Sequence, residues 1–511
     1  MNVIEISQLS DEGLEEIKGC TLTYGHFSTI HPGHIRYLKH ARDLGNRLIV
    51  AVIGDNGNEE YAFCSQERAE AVDLLGIADK VLILEGNELN QVLDKVEPSA
   101  IVLGSEYREK DYMKGLVKKL KTNGCKIYYH AGEINVTSAE LFTNSEEKLI
   151  GKRIKDFKEA CRRHNITREV LIESVRQLRG TKMIVIGDTI VDHYVACEAL
   201  GMSAEAPVLV VKEVEGKEFI GGAAVVASHI KALGAECRLI SVVGNDKTAK
   251  KVKDELKSQE INDSLITDNT RPTTYKKRYL VENQKLFRVS RLEDHKIDEE
   301  VENEIIEELN KVAEVSDGII VSDFVYGVIT ERILHEIKKL ASKYNLKLFG
   351  DVQCSSQVGL ITKFKGYTLL SPNEKEARLA LQDKDMSIEQ ISQNLIKQTS
   401  AEYLIMKLGA EGYITYYRDN ECEIRSQAFP ALCINPLDVA GAGDSLLAVV
   451  STGLAAGIDM LTISAVGCCM TAAAVEKLGN TPVEKNKLIT KINNCYDIKK
   501  SQGDIEDWTR L

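Results

Sequence analysis

An acidic residue follows a glycine-rich turn in the segment NPLDVAGAGDSLLA, residues 435–448. Gly441, Ala442 and Gly443 permit a tight turn whose backbone N–H groups point into one concavity, and the following helix adds its positive end. Asp444 stands beside this predicted anion hole. We expect its carboxylate to accept the proton of a hydroxyl group as that oxygen attacks the γ-phosphate of ATP.

Two histidines stand three residues apart in the segment TLTYGHFSTIHPGHIRYLKHA, residues 21–41. The pattern predicts a strand, a turn through Gly25, and a helix whose start carries His31 and His34. Imidazoles at a helix N-terminus form a cationic, donor-rich pocket for phosphate. Such donors stabilise the negative transition state of nucleotidyl transfer without being consumed. Taken alone, the two histidines could also be surface residues or a metal pair.

These segments must be held by the strands and helices that surround them. Between Thr21 and Ile134, short apolar runs such as RLIVAVIG and AIVLG alternate with helix-like segments, which is typical of parallel strands joined by crossover helices. Residues 144–180 are charged, free of proline and helical in period. A new strand begins at residues 183–188, MIVIGD, and strand and helix signals then alternate again.

The chain is therefore expected to be an α/β protein of two unlike modules, since no repeat period relates its halves. We assign residues 1–143 to a Rossmann-like domain, 144–181 to a helical linker and 182–511 to a second α/β domain. Each domain should carry its site at the carboxyl ends of its strands.

Composition narrows the class of protein further. A formal net charge of -12 and a pI of about 5.5 argue against general nucleic-acid binding. Twelve cysteines are scattered without metal-ligand spacing and are expected to be reduced thiols. The N-terminus has no signal-peptide pattern, and no segment offers an uncharged apolar stretch of membrane length. We expect a cytoplasmic protein that acts on small molecules, without a nucleic-acid or membrane partner.

Five segments of the C-terminal half occur in the order found in the ribokinase-like, or PfkB, sugar kinases. They are MIVIGDTIVDHY, FIGGAAVVASHIKALGA, LLSPNEKEA, MKLGAEG and the GAGD segment. The resemblance spans about residues 182–490. It implies a ribokinase-like domain in which Asp444 is the catalytic base and Gly441, Ala442 and Gly443 form the anion hole.

The same resemblance implies residues for each substrate. Asp188 and Asp192 would be two carboxylates that can bind vicinal hydroxyls. Gly221 and Gly222 would admit the sugar close to the backbone. The ATP-binding residues would be Asn373, Lys407, Gly409 and Gly412. Asn373 and Glu376 would organise Mg²⁺ through water.

Within this family, two stretches most resemble the heptose 7-phosphate kinases: SAEAPVLVVKEVEGKEFIGGAA and TRPTTYKKRYLVENQKLFRVSRLE. A phosphorylated sugar would need basic groups such as the second stretch supplies, and we assign Lys276 and Arg288 to its binding. A solvated charged strand is the alternative interpretation. The basic residues of this stretch are Arg271, Lys276, Lys277, Arg278, Lys285, Arg288 and Arg291.

The N-terminal half resembles the cytidylyltransferase-like family, in particular the adenylyltransferase module of the bacterial heptose-phosphate enzymes. The segment GHFSTIHPGHIRYLKHARDLGNRLIVAVIGD carries the likeness, which continues through SQERAEAV, VLGSEY and NVTSAEL and covers about residues 20–142. It implies that His31 and His34 hold a triphosphate lined by the backbone near His26 and Phe27. The residues that would complete the nucleotide site are Arg68, Thr137 and Ser138.

The sequence departs from both families at several positions. Ser28 stands where relatives have Asp, and residues 56–64 lack a lysine, which removes a point charge from a phosphate site. In the C-terminal half, Val225 replaces Asn, Ala440 replaces Thr, and Gln353 occupies the position of a lysine. Val225 cannot hydrogen-bond a hydroxyl, so we expect an altered sugar pocket.

The two resemblances together indicate a bifunctional sugar-activating enzyme. The kinase would use ATP and Mg²⁺ to phosphorylate a phosphosugar, as heptose enzymes do with D-glycero-D-manno-heptose 7-phosphate at C1, and the second module would make an ADP-sugar. Those enzymes usually carry the kinase first, whereas here the order is reversed. The alternatives are a kinase for another sugar with a CTP-using module, or with a non-catalytic nucleotide-sensing module. By analogy with both families we expect a homodimer.

Overall fold

The computed structural model describes residues 2–28, 30, 32–45, 47–55, 63–84, 89–104, 116, 119–120, 124–128, 146–282, 284–354, 357–419 and 423–497. They form two compact units. One comprises Met1–Lys148 with Asp383–Asn394, and the other comprises Leu149–Gln382 with Leu395–Leu511. Both units combine strands with helices, which confirms the predicted α/β class.

A parallel sheet forms the first unit. Its strands are β1 (Val3–Glu5), β2 (Thr21–Gly25), β3 (Leu48–Val52), β4 (Lys80–Ile83), β5 (Ala100–Val102) and β6 (Lys126–Tyr128). Their order is β1-β4-β3-β2-β5-β6, and all neighbouring strands run parallel. All five residues of β3, LIVAV, are buried, as expected for a strand covered on both faces.

Helices cover both faces of this sheet. They are α1 (Asp11–Ile17), α2 (Pro32–Asp43), α3 (Ser65–Asp73) and α4 (Leu89–Val96). Leu89 of α4 shares one apolar cluster with Ile49, whereas Leu38 of α2 and Ala69 of α3 share another with Val50. Because Ile49 and Val50 are neighbours in one strand, they point to opposite faces and join both clusters to the sheet.

The second unit begins with two helices, α5 (Glu146–Arg163) and α6 (Arg168–Gln177). Phe157, Leu171 and Val175 on these helices are each 0% exposed and belong to the same apolar cluster as Leu488 and Ile492 near the C-terminus. The segment predicted as a helical linker is therefore helical, but its two helices are part of the core of the C-terminal unit. Each of these helices has a charged face, which is the pattern expected of a connector, and an opposite apolar face, which is buried in the core.

A larger sheet forms the centre of the second unit. Its strands are β7 (Lys182–Met202), β9 (Glu236–Val243), β10 (Asn262–Thr267), β13 (Gly318–Asp323), β14 (Lys347–Val352), β15 (Leu369–Leu370), β16 (Tyr403–Lys407), β17 (Tyr413–Arg418) and β18 (Ile424–Phe429). Their order is β10-β9-β7-β13-β14-β15-β16-β17-β18. The strands from β10 to β16 run parallel, and β17 and β18 add an antiparallel edge.

Strand β7 passes from this central sheet into a second one. Its first residues, up to Asp188, pair with β9 and β13, whereas its later residues pair with β8 and β11. The strands that complete the second sheet are β8 (Leu209–Gly222), β11 (Thr274–Val281) and β12 (Gln284–Arg291). Asp188 therefore lies where the second sheet leaves the carboxyl edge of the first.

The remaining helices are α7 (Ala223–Ala232), α8 (Lys247–Ser258), α9 (Glu299–Ala313), α10 (Glu331–Tyr344), α11 (Glu374–Leu381), α12 (Ile388–Thr399), α13 (Ala442–Ala455), α14 (Met460–Ala474) and α15 (Lys485–Tyr496). Helices α13 and α14 are apolar and almost entirely buried. Across the described part of the chain, no helix is long and apolar enough to cross a membrane.

Candidate functional site

The glycine-rich turn stands at the start of α13, as the sequence predicts. Gly441 caps this helix with a φ of 76°, in the left-handed region that glycine adopts at no steric cost. A Cβ atom on Gly441 would also lie 2.5 Å from Oδ1 of Asn480. The turn therefore requires glycine at this position, and the helix behind it directs its positive end outwards.

Asp444 lies in the first turn of α13 and is 5% exposed. The side-chain amide of Gln353 donates a hydrogen bond to its Oδ1 over 2.6 Å. Burial, together with the nearby carboxylates of Asp351 and Asp192, raises the pKa of Asp444 to about 7, although Lys407 opposes the shift. A carboxylate with a pKa near the working pH is well matched to general-base catalysis.

Lys407 lies at the end of β16 and connects the turn with two acids. Its Nζ donates to Oδ1 of Asp351 over 2.8 Å, and a Cβ atom on Gly443 would come within 3.4 Å of the same Nζ. Although burial opposes the charge, the carboxylates of Asp351 and Glu376 raise the pKa of Lys407. Lys407 is therefore a fixed cation beside the glycine-rich turn.

The two residues expected to organise magnesium form a capping box at the start of α11. The backbone N–H of Glu376 donates to Oδ1 of Asn373 over 2.9 Å, and that of Asn373 donates to Oε2 of Glu376 over 2.8 Å. Burial raises the pKa of the Glu376 carboxyl. The described residues contain no group of three or more His, Cys, Asp or Glu side chains placed to hold a metal directly. Oδ1 of Asn373 and Oε2 of Glu376 thus accept backbone hydrogen bonds, so these two residues could meet a magnesium ion only through its water shell.

The two glycines of MKLGAEG form the turn between β16 and β17. Gly409 has a φ of 62° and Gly412 a φ of 100°. A Cβ atom on Gly412 would meet the carbonyl oxygen of Phe429 at 2.1 Å, so this backbone packs directly against the strand that follows. The turn follows Lys407 immediately, which places the predicted ATP-binding residues at one edge of the central sheet.

Asp188 and Asp192 lie four residues apart at the junction of the two sheets. Oδ2 of Asp188 accepts a hydrogen bond from the backbone N–H of Phe324 over 2.7 Å, whereas its buried Oδ1 has no partner among the described residues. Burial and the neighbouring Asp323 raise the pKa of Asp188. Asp192 instead has both oxygens engaged, by Arg278 and by Nδ2 of Asn480, the latter over 2.8 Å. Oδ1 of Asp188 is therefore a buried oxygen without a hydrogen bond from the described residues, which is unusual in a folded protein.

Gly221 and Gly222 let strand β8 approach these acids. A Cβ atom on Gly221 would lie 2.6 Å from Oδ2 of Asp192, and one on Gly222 would lie 2.1 Å from the backbone oxygen of Asp188. The glycines are therefore required by protein packing as well as by any close approach of a sugar.

The structure separates the two basic residues that were assigned to a phosphosugar. Lys276 on β11 is 3% exposed, and its Nζ lies 5.2 Å and 5.1 Å from the ring centres of Phe324 and Tyr326. Arg288 lies on β12, all of whose residues are exposed, opposite Arg278. Lys276 is buried next to the loop that contacts Asp188, whereas Arg288 belongs to a solvated outer strand.

The sequence motifs assign no role to three residues that the structure places in this site: Gln353, Arg278 and Asn480. In the sequence, Gln353 is a departure from a family pattern, and Arg278 is one of seven basic residues of its stretch. Asn480 belongs to no motif, and chain folding alone brings it to Asp192. An amide following a strand-end acid, as in DVQC, was the one available signal.

In the first unit, the structure confirms a helix start at His34, since α2 spans Pro32–Asp43. The ring of His34 lies 5.2 Å from that of Phe27, whose φ of 50° is rare for a residue with a side chain. Such strained backbone is concentrated at ligand sites. His31, Thr137 and Ser138 lie outside the described residues.

Arg68 requires a correction, because the nucleotide contact expected of it conflicts with its position. Its side chain is 1% exposed and forms an ion pair with Asp55 at 2.8 Å. The guanidinium also donates to the backbone oxygens of Phe63, His26 and Ile53. Arg68 therefore supports the loop at His26, because its N–H groups donate to backbone oxygens and to Asp55.

Comparison with known proteins agrees with this arrangement. Residues 180–486 match the model of the pfkB family of carbohydrate kinases, and residues 22–144 match that of cytidylyltransferase-like proteins. The order of the two regions is the reverse of that in the heptose enzymes that the sequence resembles.

Two curated relatives are bifunctional proteins HldE. That of Helicobacter hepaticus is 33% identical over 279 residues, which are 54% of this chain and 56% of the relative. That of Campylobacter jejuni serotype O:6 is 31% identical over 290 residues, which are 55% and 58% of the two chains. This chain therefore matches little more than half the length of these relatives.

Among solved structures, phosphofructokinase-2 of Escherichia coli has a TM-score of 0.52 at 14% identity, covering 62% of this chain and 99% of that one. This likeness shows the ribokinase-like fold of the C-terminal unit. Since the pfkB match extends over more than half of its residues, the chain belongs to the pfkB family of carbohydrate kinases.

Proposed function

We propose that the C-terminal unit transfers the γ-phosphoryl group of ATP to a hydroxyl group of a phosphosugar, with Asp444 as the base. The single observation that carries this proposal is Asp444 itself, buried in the first turn of α13 beside the glycine-rich turn. As the sugar oxygen attacks the γ-phosphorus, its proton passes to Asp444 and the bond to the β-phosphate oxygen breaks, releasing ADP. Magnesium would supply charge neutralisation of the phosphates.

The remaining residues take supporting roles in this proposal. Asp188, with its unpartnered Oδ1, binds a hydroxyl group of the sugar, and Asp192 stands beside it. Lys407 and the turn at Gly441 to Gly443 neutralise the phosphates, and Asn373 with Glu376 would hold the water shell of a magnesium ion. Lys276, buried against the rings of Phe324 and Tyr326, is the cation that we assign to the phosphate group of a phosphorylated sugar.

For the N-terminal unit we propose nucleotidyl transfer from a nucleoside triphosphate to the sugar 1-phosphate, with release of pyrophosphate. His34 at the start of α2 and the strained backbone at Phe27 support this proposal. The heptose relatives favour D-glycero-D-manno-heptose 7-phosphate as the starting sugar and ADP-heptose as the product. The alternative is a module that uses CTP, or one that binds a nucleotide without catalysis, which Ser28 favours.

We further propose that the chain forms a homodimer through its second sheet. Apolar side chains remain exposed on β7, on β8 and on the connection between them: Leu200, Met202, Val208, Leu209, Val210 and Val214. Light scattering should give twice the mass of one chain, and Val214→Lys should shift the population towards monomer.

The decisive test of function is a product assay by mass spectrometry. The full chain is incubated with heptose 7-phosphate, fructose 6-phosphate or ribose together with ATP, and afterwards with each common nucleoside triphosphate. A sugar bisphosphate followed by a nucleotide sugar supports both proposals. Phosphorylation of ribose alone would reject the phosphosugar, and a sugar bisphosphate that no triphosphate converts would reject nucleotidyl transfer.

A further inference from the structure

The side chain of Gln353 meets the carboxylate of Asp444 directly. Its Nε2 donates to Oδ1 of Asp444 over 2.6 Å. The backbone N–H of Gln353 donates to the carbonyl oxygen of Asp323 over 2.8 Å, continuing the pairing of β14 with β13 beyond its last residue. The amide is therefore held at the end of the sheet, where its reach to Asp444 does not depend on a mobile backbone.

The charged residues around Asp444 determine how strongly the contact with Gln353 affects its ionisation. The Coulomb interactions of Asp444 with Asp351 on β14 and Asp192 on β7 raise its pKa, whereas the interaction with Lys407 on β16 lowers it. Lys407, however, is already hydrogen-bonded to Asp351. Gln353 is the neutral donor that contacts the carboxylate itself. An N–H group that donates to one oxygen favours the ionised form and leaves the other oxygen to accept a proton.

We propose that Gln353 is a positioning residue for phosphoryl transfer, which orients the Asp444 carboxylate through Oδ1 and favours its ionised form, so that Oδ2 can take the hydroxyl proton. The proposal rests on the kinase function proposed above. Without the Gln353 amide, the buried Asp444 carboxylate lacks one hydrogen-bond donor while Asp351 and Asp192 remain close to it. It is then protonated over a wider range of pH, and it is no longer held in one orientation. Gln353 itself neither accepts nor donates a proton during the reaction.

Two substitutions move the system in opposite directions. Gln353→Leu removes the donor at similar volume, and Gln353→Lys replaces it with a charged donor. The kcat of the full chain is measured against pH, with saturating ATP, magnesium and a sugar that the wild type phosphorylates. We expect Gln353→Leu to shift the acidic limb upward by about one pH unit, because a hydrogen bond to a charged group is worth about a tenfold change in such an equilibrium. Gln353→Lys should shift it downward.

The matched control is Gln357→Leu, which changes a glutamine four positions later in the sequence that contacts Asp294 instead. This control substitution should not shift the acidic limb of the pH profile of kcat. Gln353→Leu should lose about tenfold in kcat at neutral pH and recover most of this loss in alkali, where ionisation is restored and only the loss of orientation remains, with the KM for ATP unchanged. An equal loss at every pH, with the limb unmoved, would assign Gln353 a purely structural role and overturn the proposal. If Gln353→Leu does not fold, Gln353→Asn, which shortens the amide, gives the same comparison.

A second measurement needs no turnover. The protonated carboxyl of Asp444 is titrated by infrared difference spectroscopy, using Asp444→Asn as the blank. Its midpoint should rise in Gln353→Leu and fall in Gln353→Lys, and unchanged midpoints in both would overturn the proposal. If the wild type phosphorylates no sugar, the kinase proposal fails, whereas the titration still decides whether Gln353 controls Asp444.

Discussion

The side-chain amide of Asn480 donates to Oδ2 of Asp192 over 2.8 Å, while its own Oδ1 lies where a side chain on Gly441 would begin. One residue therefore connects the acid proposed to lie beside the sugar with the turn proposed to hold phosphate. That Oδ1 is buried and has no hydrogen-bond partner among the described residues, which is costly unless a substrate group completes it.

Replacing Asn480 should therefore weaken binding of the sugar. We expect Asn480→Ala to raise the KM for the sugar about tenfold or more, since one hydrogen bond to a charged group is lost. Asn480→Asp should be worse, because it sets a second carboxylate against Asp192. Steady-state kinetics check this, with Asn310→Ala on the exposed face of α9 as the control. An unchanged sugar KM in both variants would contradict the prediction.

Asp444→Asn should abolish phosphorylation of the sugar, because only the proton acceptor is lost. A fall in kcat of about a hundredfold or more is expected for removal of a general base. ATP binding, measured by calorimetry, should be retained. Turnover within a few-fold of the wild type at saturating ATP would show that Asp444 is not the base.

The same substitution should make the C-terminal unit more stable in alkali. Folding raises the pKa of Asp444 from 3.8 to about 7, so the folded state favours the protonated form. Stability from this group is complete below the unfolded pKa and is lost as the pH rises towards the folded one. Above pH 7, Asp444→Asn should therefore raise the free energy of unfolding by a few kcal/mol at most and raise the Tm accordingly. In acid it should leave the Tm nearly unchanged. A Tm gain independent of pH would speak against the burial mechanism.

A kinase fragment should fold only if it keeps helices α5 and α6. Residues 146–511 are expected to be soluble and active, whereas 178–511 should aggregate. The shorter fragment loses Phe157, Leu171 and Val175, each worth about 1.5–3 kcal/mol of burial, against a net stability of about 5–15 kcal/mol for a domain. Circular dichroism melting and size-exclusion chromatography measure this. A folded 178–511 fragment would return these helices to the role of a linker.

In the N-terminal unit, His31→Ala and His34→Ala should each reduce pyrophosphate release about a hundredfold, the scale of losing one transition-state donor. Kinase activity should be unchanged. Arg68→Ala should instead unfold this unit, because Asp55 and three backbone oxygens lose their donor. If the wild type binds a triphosphate by calorimetry but releases no pyrophosphate with any, the sensing alternative replaces nucleotidyl transfer.

Local sequence determined much of this molecule. Strand formation by apolar runs such as LIVAV, and the turn that glycine permits in GAGD, depend on residues that are close in the sequence. The strands, the helix starts and the position of Asp444 could therefore be predicted. The division into two α/β units followed from the same periodicity.

Only the tertiary structure decided which side chains meet. Gln353 and Asp444 are 91 residues apart, and Asn480 and Asp192 are 288 apart, so no spacing could reveal either contact. Arg68 has the residue type of a phosphate ligand, yet its burial among backbone oxygens gives it a supporting role. Helices α5 and α6 look like a connector because charge patterns report the exposed face, whereas the opposite face packs onto helices formed 300 residues later, near Leu488 and Ile492.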